Sequence, residues 1–518
     1  MNYIKIDLER VLSDIDRNIF GGNLELGDKD TRFWYLDVGD SPQFDKHGLR
    51  DDVRTALERM NLTNIRFPGG NFASGYRWMD GIGPREQRPT RHDLAWNSIV
   101  PNQYGTNEFI RLCRVMHIEP YICVNCGDGD MREAADWVEY CNGTRDTDLV
   151  KLRRKHGFEE PHKVKYWSIG NEVDGPWQIG YKTPQEYARA FTEFGKVMKW
   201  TDPDIKLIAS AVCFWGHVPL PPKFLDQKSE VVERAQLILE QGGNLVDYMA
   251  VHQYCHPYED DPFETYMAFG ESFNEHLSAY EGLIQSVCLE RSIKHNIYIT
   301  VDEWGIMRLP AGRRDCSEGL VPQGQKRTSG LNQHNLEDAL VTALHLNAFI
   351  RHSRSVRMAN FPPMPMSLGI NSMRPEGPIL LQTTFYPFEL YNHTCGQLAL
   401  DVLWYGDTFS GTYKDRTYSG IRTLNVAATL DERLKQVVVY VVNQSKTDTM
   451  ETTVSLTSGE FAGHVQISVI NGPDVKIGNT DEKPNQVQTK KSDLVVSGKS
   501  FSYAFEPRSI TVLVCAVK

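Results

Sequence analysis

At 518 residues, 41% of them hydrophobic and 24% charged, the chain exceeds what one core usually organises, so a large domain with a smaller companion is expected. Sixty-seven acidic residues against 56 Lys and Arg give a formal charge of −11, which excludes a general footprint for nucleic acid or an anionic membrane; the cluster KLRRKHG at 151–157 reads as a solvated turn. The N-terminus carries acidic residues where a secretory leader needs an apolar core, and no stretch approaches the ~20 apolar residues of a membrane span, so a cytoplasmic protein is expected.

The opening NYIKIDLE alternates apolar and polar residues, which predicts a strand within 1–14 that pairs into the C-terminal part of the chain. From 15 to about 375, short apolar runs alternate with helical patterns, the signature of βα units and a parallel sheet. Strands are predicted at 19–25, 63–69, 119–126, 164–171, 205–211, 247–254, 297–303 and 355–360. Eight such strands suggest a closed (β/α)8 barrel. Helices are predicted at 49–60, 108–117, 132–141 and 336–352. The clearest helix start is TPQEYARAF, with Thr183 as cap, Pro184 in the first turn and Glu186 closing a capping box. From 376 to 518 the pattern becomes β-branched alternation, as in LKQVVVYVVNQS at 434–445, and predicts an antiparallel β-sandwich. Long polar connections at 26–48, 73–106 and 306–335 are candidate loops above the barrel mouth.

Ten cysteines lie scattered from Cys113 to Cys515 without a framework spacing, as in reduced proteins. Cys123 and Cys126 form a CxxC within YICVNCG, read as part of a strand rather than as a redox or zinc site. The sequons at Asn61, Asn142, Asn392 and Asn443 carry no meaning without secretion.

The chemistry is concentrated in two glutamates at predicted strand ends, Glu172 in KYWSIGNEVDGPWQIG and Glu303 in IYITVDEWG. One such residue alone is more often a surface or capping group. Two of them, at the ends of the fourth and seventh strands of a barrel whose active site lies at that face, supply the acid and the nucleophile of a retaining glycoside hydrolase. The negative field of Glu303 would raise the pKa of Glu172 and keep it protonated; once Glu303 is esterified by sugar, that field vanishes and Glu172 can act as base. Arg66, before the tight Pro68-Gly69-Gly70 turn, can hold Glu303 ionised. Asn71 and Asn171 offer amide donors, and Trp96 and Trp177 can form apolar walls against sugar faces.

The stretches IRFPGGNFASGYRWMDGIGP, RPTRHDLAW, LRRKHGFEEPHKVKYWSIGNEVDGPWQIG, VDYMAVHQY, VDEWG and LQTTFYPF together resemble α-L-arabinofuranosidases of glycoside hydrolase family 51 over nearly the whole chain. The resemblance implies Glu172 as acid/base, Glu303 as nucleophile and Asn171 as donor to the sugar 2-hydroxyl. It also implies that Glu25, Arg66, Asn71, His252 and Tyr254 line or support the glycone pocket. The substrates implied are arabinose-containing oligosaccharides, with no metal or organic cofactor, since two carboxyl groups suffice. Family members commonly form homo-oligomers.

Two segments depart from the family pattern. After Glu25 the family usually continues His-Leu-Gly-Arg, where this chain reads LELGDKDTRFWYLDVGD, and Pro363 stands where a pocket glutamine is expected. A proline side chain donates no hydrogen bond, so the recognition shell differs while the carboxylate pair is intact. The alternatives to an arabinofuranoside are another glycone, such as a galactofuranoside or a β-linked glucan or xylan chain, and, outside enzymes, a carbohydrate-binding protein without turnover.

Overall fold

The computed structural model describes residues 2–26, 50–212, 230–308, 334–361, 370–371, 378–414 and 416–518. Pro363 and most of the segment after Glu25 lie outside these residues.

Eight parallel strands close into a barrel: Gly21–Asn23, Asn64–Phe67, Glu119–Val124, Tyr166–Ile169, Lys206–Val212, Tyr248–Cys255, Tyr298–Ile306 and Val356–Phe361, each paired with its neighbours in sequence, and the first with the last. All eight fall within two or three residues of the predicted runs at each end. The apolar runs are covered on both sides, by interior residues such as Tyr121, Tyr166, Ile208 and Met358 and by the surrounding helices outside. The capping box appears as predicted: Thr183 Oγ1 accepts from the Glu186 amide, and Glu186 accepts from the Thr183 amide, at the start of the helix Pro184–Thr201.

The basic cluster is not a turn. Thr147 caps a helix over Asp148–Lys155, in which Val150 and Arg153 are buried. Arg153 donates from Nη1 to the carbonyls of Tyr140 (3.1 Å) and Gly143 (2.8 Å). Of its cations Arg153 is the buried one, and Arg154 and Lys155 sit at the helix C-terminus, where the dipole favours them.

The N-terminal strand Asn2–Asp14 joins a nine-stranded sheet otherwise built from the C-terminal region, antiparallel to Leu398–Tyr405 but parallel to Met450–Leu456. The sheet curls over itself: Phe461, on the strand next to one edge, packs at 5.0 Å on Phe501 from the opposite edge. In the strand Gln436–Asn443, Val437, Val439 and Val441 enter the core of this layer, while Val438, Tyr440 and Val442 face the barrel. Period two thus explains why VVVYVV is apolar throughout.

Between the two layers runs the helix Leu336–Arg351, buried on every side. It touches the barrel through His345 and Phe349 against Trp304, and the sheet through Asn347 and Arg351 to Asn425. The region after 376 also contains a helix, Phe385–Thr394, which packs on the barrel: Asn392 donates to the carbonyls of Met60 and Asn61, and Phe388 packs against Phe20 and Phe361. Phe, Tyr and Leu recur there at helical spacing, a signal that β-branched residues further on obscured. Among the described residues, no helix is long and apolar enough to cross a membrane.

Candidate active site

Local backbone geometry sets each functional side chain. After the fourth strand, Gly170 takes φ +84° and Glu172 itself φ +44°, a left-handed conformation that costs a glutamate on the order of 1–3 kcal/mol and is tolerated where surroundings overdetermine it. After the second strand, Gly70 has φ +55°, and a Cβ there would lie 2.1 Å from the Glu25 carboxyl. The PGG segment is therefore a close approach of backbone to Glu25, not merely a turn. Glu25 accepts from the Phe72 amide (3.2 Å) and from Trp96 Nε1 (2.7 Å), with Trp96 held on a short hairpin by Asp93.

On the sixth strand, His252 and Tyr254 are two residues apart and face the same way. On the seventh, the register against the sixth runs from Thr300 opposite Ala250 to Glu303 opposite His252, one residue more on the seventh strand. This bulge lets the adjacent Asp302 and Glu303 both contact the barrel interior, where a regular strand would send them to opposite faces. Sequence reasoning missed Asp302 for that reason; the signal available was the doubled acid in VDEW.

The side chains converge. Arg66, 1% exposed at its side chain, donates from Nη1 to Glu303 Oε1 (2.8 Å) and from Nη2 to Asn171 Oδ1 (2.6 Å), and its Nε lies 3.5 Å from Asp302 Oδ2. Tyr254 Oη donates to Glu303 Oε2 (2.8 Å), and Trp177 Nε1 donates to Glu172 Oε2 (3.1 Å). His252 Nδ1 lies 2.9 Å from Glu172 Oε1 and 3.6 Å from Glu303 Oε2, and its Nε2 lies 3.2 Å from Asp302 Oδ1. Tyr121 Oη donates to Asp302 Oδ2 (2.8 Å). Asn171 Nδ2 is buried with no hydrogen-bond partner. Asn71 opens the short turn behind Gly70 and is half-buried.

Both tryptophans also serve as donors, each indole N–H being committed to a carboxylate. One oxygen each of Glu172 and Glu303 and a ring nitrogen of His252 lie within 4.8 Å of one another. That grouping would span a small cation, but its two carboxylates already take hydrogen bonds from Arg66, Tyr254 and Trp177, and a guanidinium adjoins it. The separation matches the ~5 Å of retaining glycosidases and falls short of the ~6.5–9.5 Å that leaves room for an inverting water.

The charges are arranged differently from the expectation. Burial alone would depress His252, but the fields of Glu303 and Asp302 carry its pKa well above the usual histidine range. Burial would raise Glu172, yet the hydrogen bonds from His252 and Trp177 hold it below the usual carboxylate range. Burial, aided by the charge of Glu172, raises Glu303. These directions shift the proton of the Glu172–His252 pair toward His252, whose Nδ1 lies 2.9 Å from Glu172 Oε1. Burial and the charge of Glu303 push the Tyr254 hydroxyl far up, so it remains a donor.

Residues 56–267 match the family model described as Alpha-L-arabinofuranosidase 1 domain, and residues 302–509 that of the Alpha-L-arabinofuranosidase C-terminal domain. The chain is 34% identical to a probable α-L-arabinofuranosidase C of Aspergillus clavatus, over 98% of this chain and 96% of that protein. It belongs to the α-L-arabinofuranosidases of glycoside hydrolase family 51. An intracellular exo-α-(1→5)-L-arabinofuranosidase of Bacillus subtilis is 30% identical, over 98% of this chain and 97% of that protein. The crystal structure of the Thermotoga maritima α-L-arabinofuranosidase in complex with arabinose superposes with a TM-score of 0.85 at 31% identity, covering 99% of both chains. The family 51 enzyme of Thermotoga petrophila gives 0.84 at 30% identity, covering 99% of this chain and all of that one.

Proposed function

We propose that this family 51 chain is a retaining, exo-acting α-L-arabinofuranosidase that releases terminal arabinofuranosyl units from oligosaccharides, with Glu303 as nucleophile and Glu172 as acid/base. The reading is carried by the two carboxylates, one just after the fourth strand and one on the seventh, of which one oxygen each lies within 4.8 Å of the other. Arg66 and Tyr254 each donate to one Glu303 oxygen, which aligns the carboxylate and favours its charged form during attack. In the first step a Glu303 oxygen bonds to the anomeric carbon while Glu172 gives its proton to the departing oxygen, which keeps the electron pair of the broken bond. In the second, water replaces Glu303 at that carbon and its proton returns to Glu172. The free Nδ2 of Asn171 suits the sugar 2-hydroxyl, and Glu25, Asn71 and Trp96 bound the other side of the glycone site.

The Bacillus relative is named intracellular, and the acidic N-terminal strand is built into the fold. The first of these supports a cytoplasmic enzyme acting on imported oligosaccharides, and we infer a homo-oligomer as in the resembling enzymes. The departures after Glu25 and at Pro363 favour one second reading, the same mechanism on a related furanoside or on a β-glucan or xylan chain.

Hydrolysis of nitrophenyl furanosides and pyranosides tests the proposal. The α-L-arabinofuranoside should be turned over by the wild type and not by Glu303→Gln. Glu172→Ala should lose ~10²–10⁴-fold in kcat/KM on substrates with poor leaving groups and be rescued by azide on activated ones. Turnover of a different glycoside alone would move the substrate assignment and leave the mechanism; undiminished turnover by Glu303→Gln would remove Glu303 from its role.

A further inference from the structure

Asp302 adjoins the nucleophile in sequence, and its side chain is 1% exposed. Its neighbours are nonetheless the groups that set charge in the site. Oδ2 accepts from Tyr121 and faces Arg66 Nε, while Oδ1 faces His252 Nε2 at 3.2 Å, near enough for an ion pair but without an aligned hydrogen bond. On its other side the same ring meets Glu172 through Nδ1 at 2.9 Å. Asp302, His252 and Glu172 therefore form one continuous carboxylate–imidazole–carboxylate line, running from beneath the site to the acid/base.

We propose that Asp302 is a positioning residue that acts through His252: it holds a proton on Nε2, so that Nδ1 is the nitrogen that shares a proton with Glu172. This deepens the reading of Glu172 as acid/base and rests on it. The bulge in the seventh strand is the device that makes it possible, since without the extra residue Asp302 would point out of the barrel while Glu303 points in. A carboxylate behind an imidazole fixes which nitrogen carries hydrogen and stabilises the cationic ring. The shared proton passes from Nδ1 through Glu172 to the departing oxygen, which leaves Glu172 a carboxylate and the ring neutral, with its remaining hydrogen on Nε2 facing Asp302. When Glu172 takes a proton from water in the second step, the original state returns, so the line conserves protons over a cycle.

The charged and titratable groups facing this line are Arg66 from the second strand, Tyr121 and Cys123 from the third, Tyr254 from the sixth and Glu303 from the seventh. Of these, Arg66 and Tyr121 also contact Asp302 directly, so a substitution there disturbs more than His252. The test must separate a relay from a packing role.

The experiment is the pH profile of kcat/KM for wild type, Asp302→Asn and Glu172→Ala, on an arabinofuranosyl disaccharide and on 2,4-dinitrophenyl α-L-arabinofuranoside. Removing the negative charge behind His252 weakens the hold of the ring on its proton. The alkaline limb of Asp302→Asn should therefore move down by about one pH unit or more. Its kcat/KM on the disaccharide should fall at least ~10-fold, with a much smaller loss on the dinitrophenyl substrate, which needs little acid assistance. An unmoved limb with equal losses on both substrates would overturn the relay and leave a packing role. If Glu172→Ala does not itself discriminate between the two leaving groups, the acid/base reading fails first, which keeps the two failures distinct. Should Asp302→Asn not fold, ¹⁵N spectra of ring-labelled wild type decide, with the His252 signals identified by their loss in His252→Gln. A protonated Nε2 at pH 7.5 is expected, and a bare Nε2 facing Asp302 would overturn the proposal.

Discussion

Two aspartates are buried equally deeply in this protein and are used in opposite ways. Asp338, at the start of the helix between barrel and sheet, has both oxygens saturated. Oδ1 accepts from Tyr266 (2.5 Å) and Arg308 (2.7 Å); Oδ2 accepts from Arg308 Nε and the Asn335 amide (3.0 Å each) and faces His334 at 3.1 Å. Asp302, beneath the site, has one well-formed hydrogen bond, from Tyr121; among the described residues Arg66 Nε, 3.5 Å from it, and Asn171 Nδ2 make no hydrogen bond. A saturated buried network specifies structure, whereas an incompletely saturated one keeps an affinity for a ligand that would complete it. The difference separates the joint of the molecule from its reactive centre.

The sharpest way to break this comparison is to remove one charge from each centre. Glu303→Gln should lower turnover by ~10⁴-fold or more while leaving the unfolding temperature unchanged or higher, because it relieves a carboxylate from a site that has more of them than cations. Asp338→Asn should do the reverse. Breaking a fully buried pair costs about 3–5 kcal/mol, and activity per folded molecule should hold. Although burial opposes it, Arg308 and His334 keep the Asp338 carboxyl well below its ordinary range. A carboxylate depressed in the folded state contributes stability above its unfolded pKa, ~3.9, and loses it as pH falls toward the folded value. The gap between wild type and Asp338→Asn should therefore be full at pH 7 and shrink below about pH 4, which thermal unfolding across that range would measure. A constant gap at all pH values would mean that Asp338 stabilises by shape and not by charge.

The barrel was legible because its strands are apolar on both faces and its helices carry capping signals, as at Thr183 and Glu186. The two glutamates were legible because a strand end fixes position along the barrel axis. What the sequence hid was local. Whether Asp302 faces in or out depends on one extra residue in a strand, and hydrophobic periodicity does not register a bulge. The use of Trp96 and Trp177 as donors depends on which carboxylate lies near each indole, a tertiary fact. The helix at 385–394 and the buried Arg153 were obscured by neighbours of stronger pattern, β-branched in one case and basic in the other. The raised pKa of His252 follows from distances among four side chains at the ends of three strands, which no spacing in the chain encodes.

A smaller effect sharpens the reading of the site. Trp177→Phe keeps the ring but removes the donor to Glu172 Oε2, one of the hydrogen bonds that hold the carboxyl down. Its pKa should rise, so the alkaline limb of the pH profile should move up, opposite in sign to the shift expected for Asp302→Asn. A net hydrogen bond of ~1 kcal/mol corresponds to about a fivefold change in kcat/KM and somewhat under one pH unit. Two substitutions flanking Glu172 would then displace one limb in opposite directions, which a general loss of packing cannot do.

The smallest effect is expected where ions are paired in solvent. Arg59, 45% exposed at its side chain, donates from Nε and Nη2 to the two oxygens of Glu389 (2.8 and 3.2 Å) and joins the helices Asp51–Met60 and Phe385–Thr394. The geometry is as good as that of Arg308 with Asp338, so distance alone would rank the two pairs together. Water and salt screen the exposed one, and its contribution should be no more than ~0.5 kcal/mol. Glu389→Gln removes the charge while preserving the stacking of Arg59 on Phe385, 4.9 Å from the ring centroid, and so isolates the ion pair. Its unfolding temperature should match wild type within error in 0.5 M salt and differ little without it. A loss approaching that of Asp338→Asn would mean that the second helix is held to the barrel by this contact rather than by Phe388 and Asn392, and that burial is not what ranks the ion pairs of this fold.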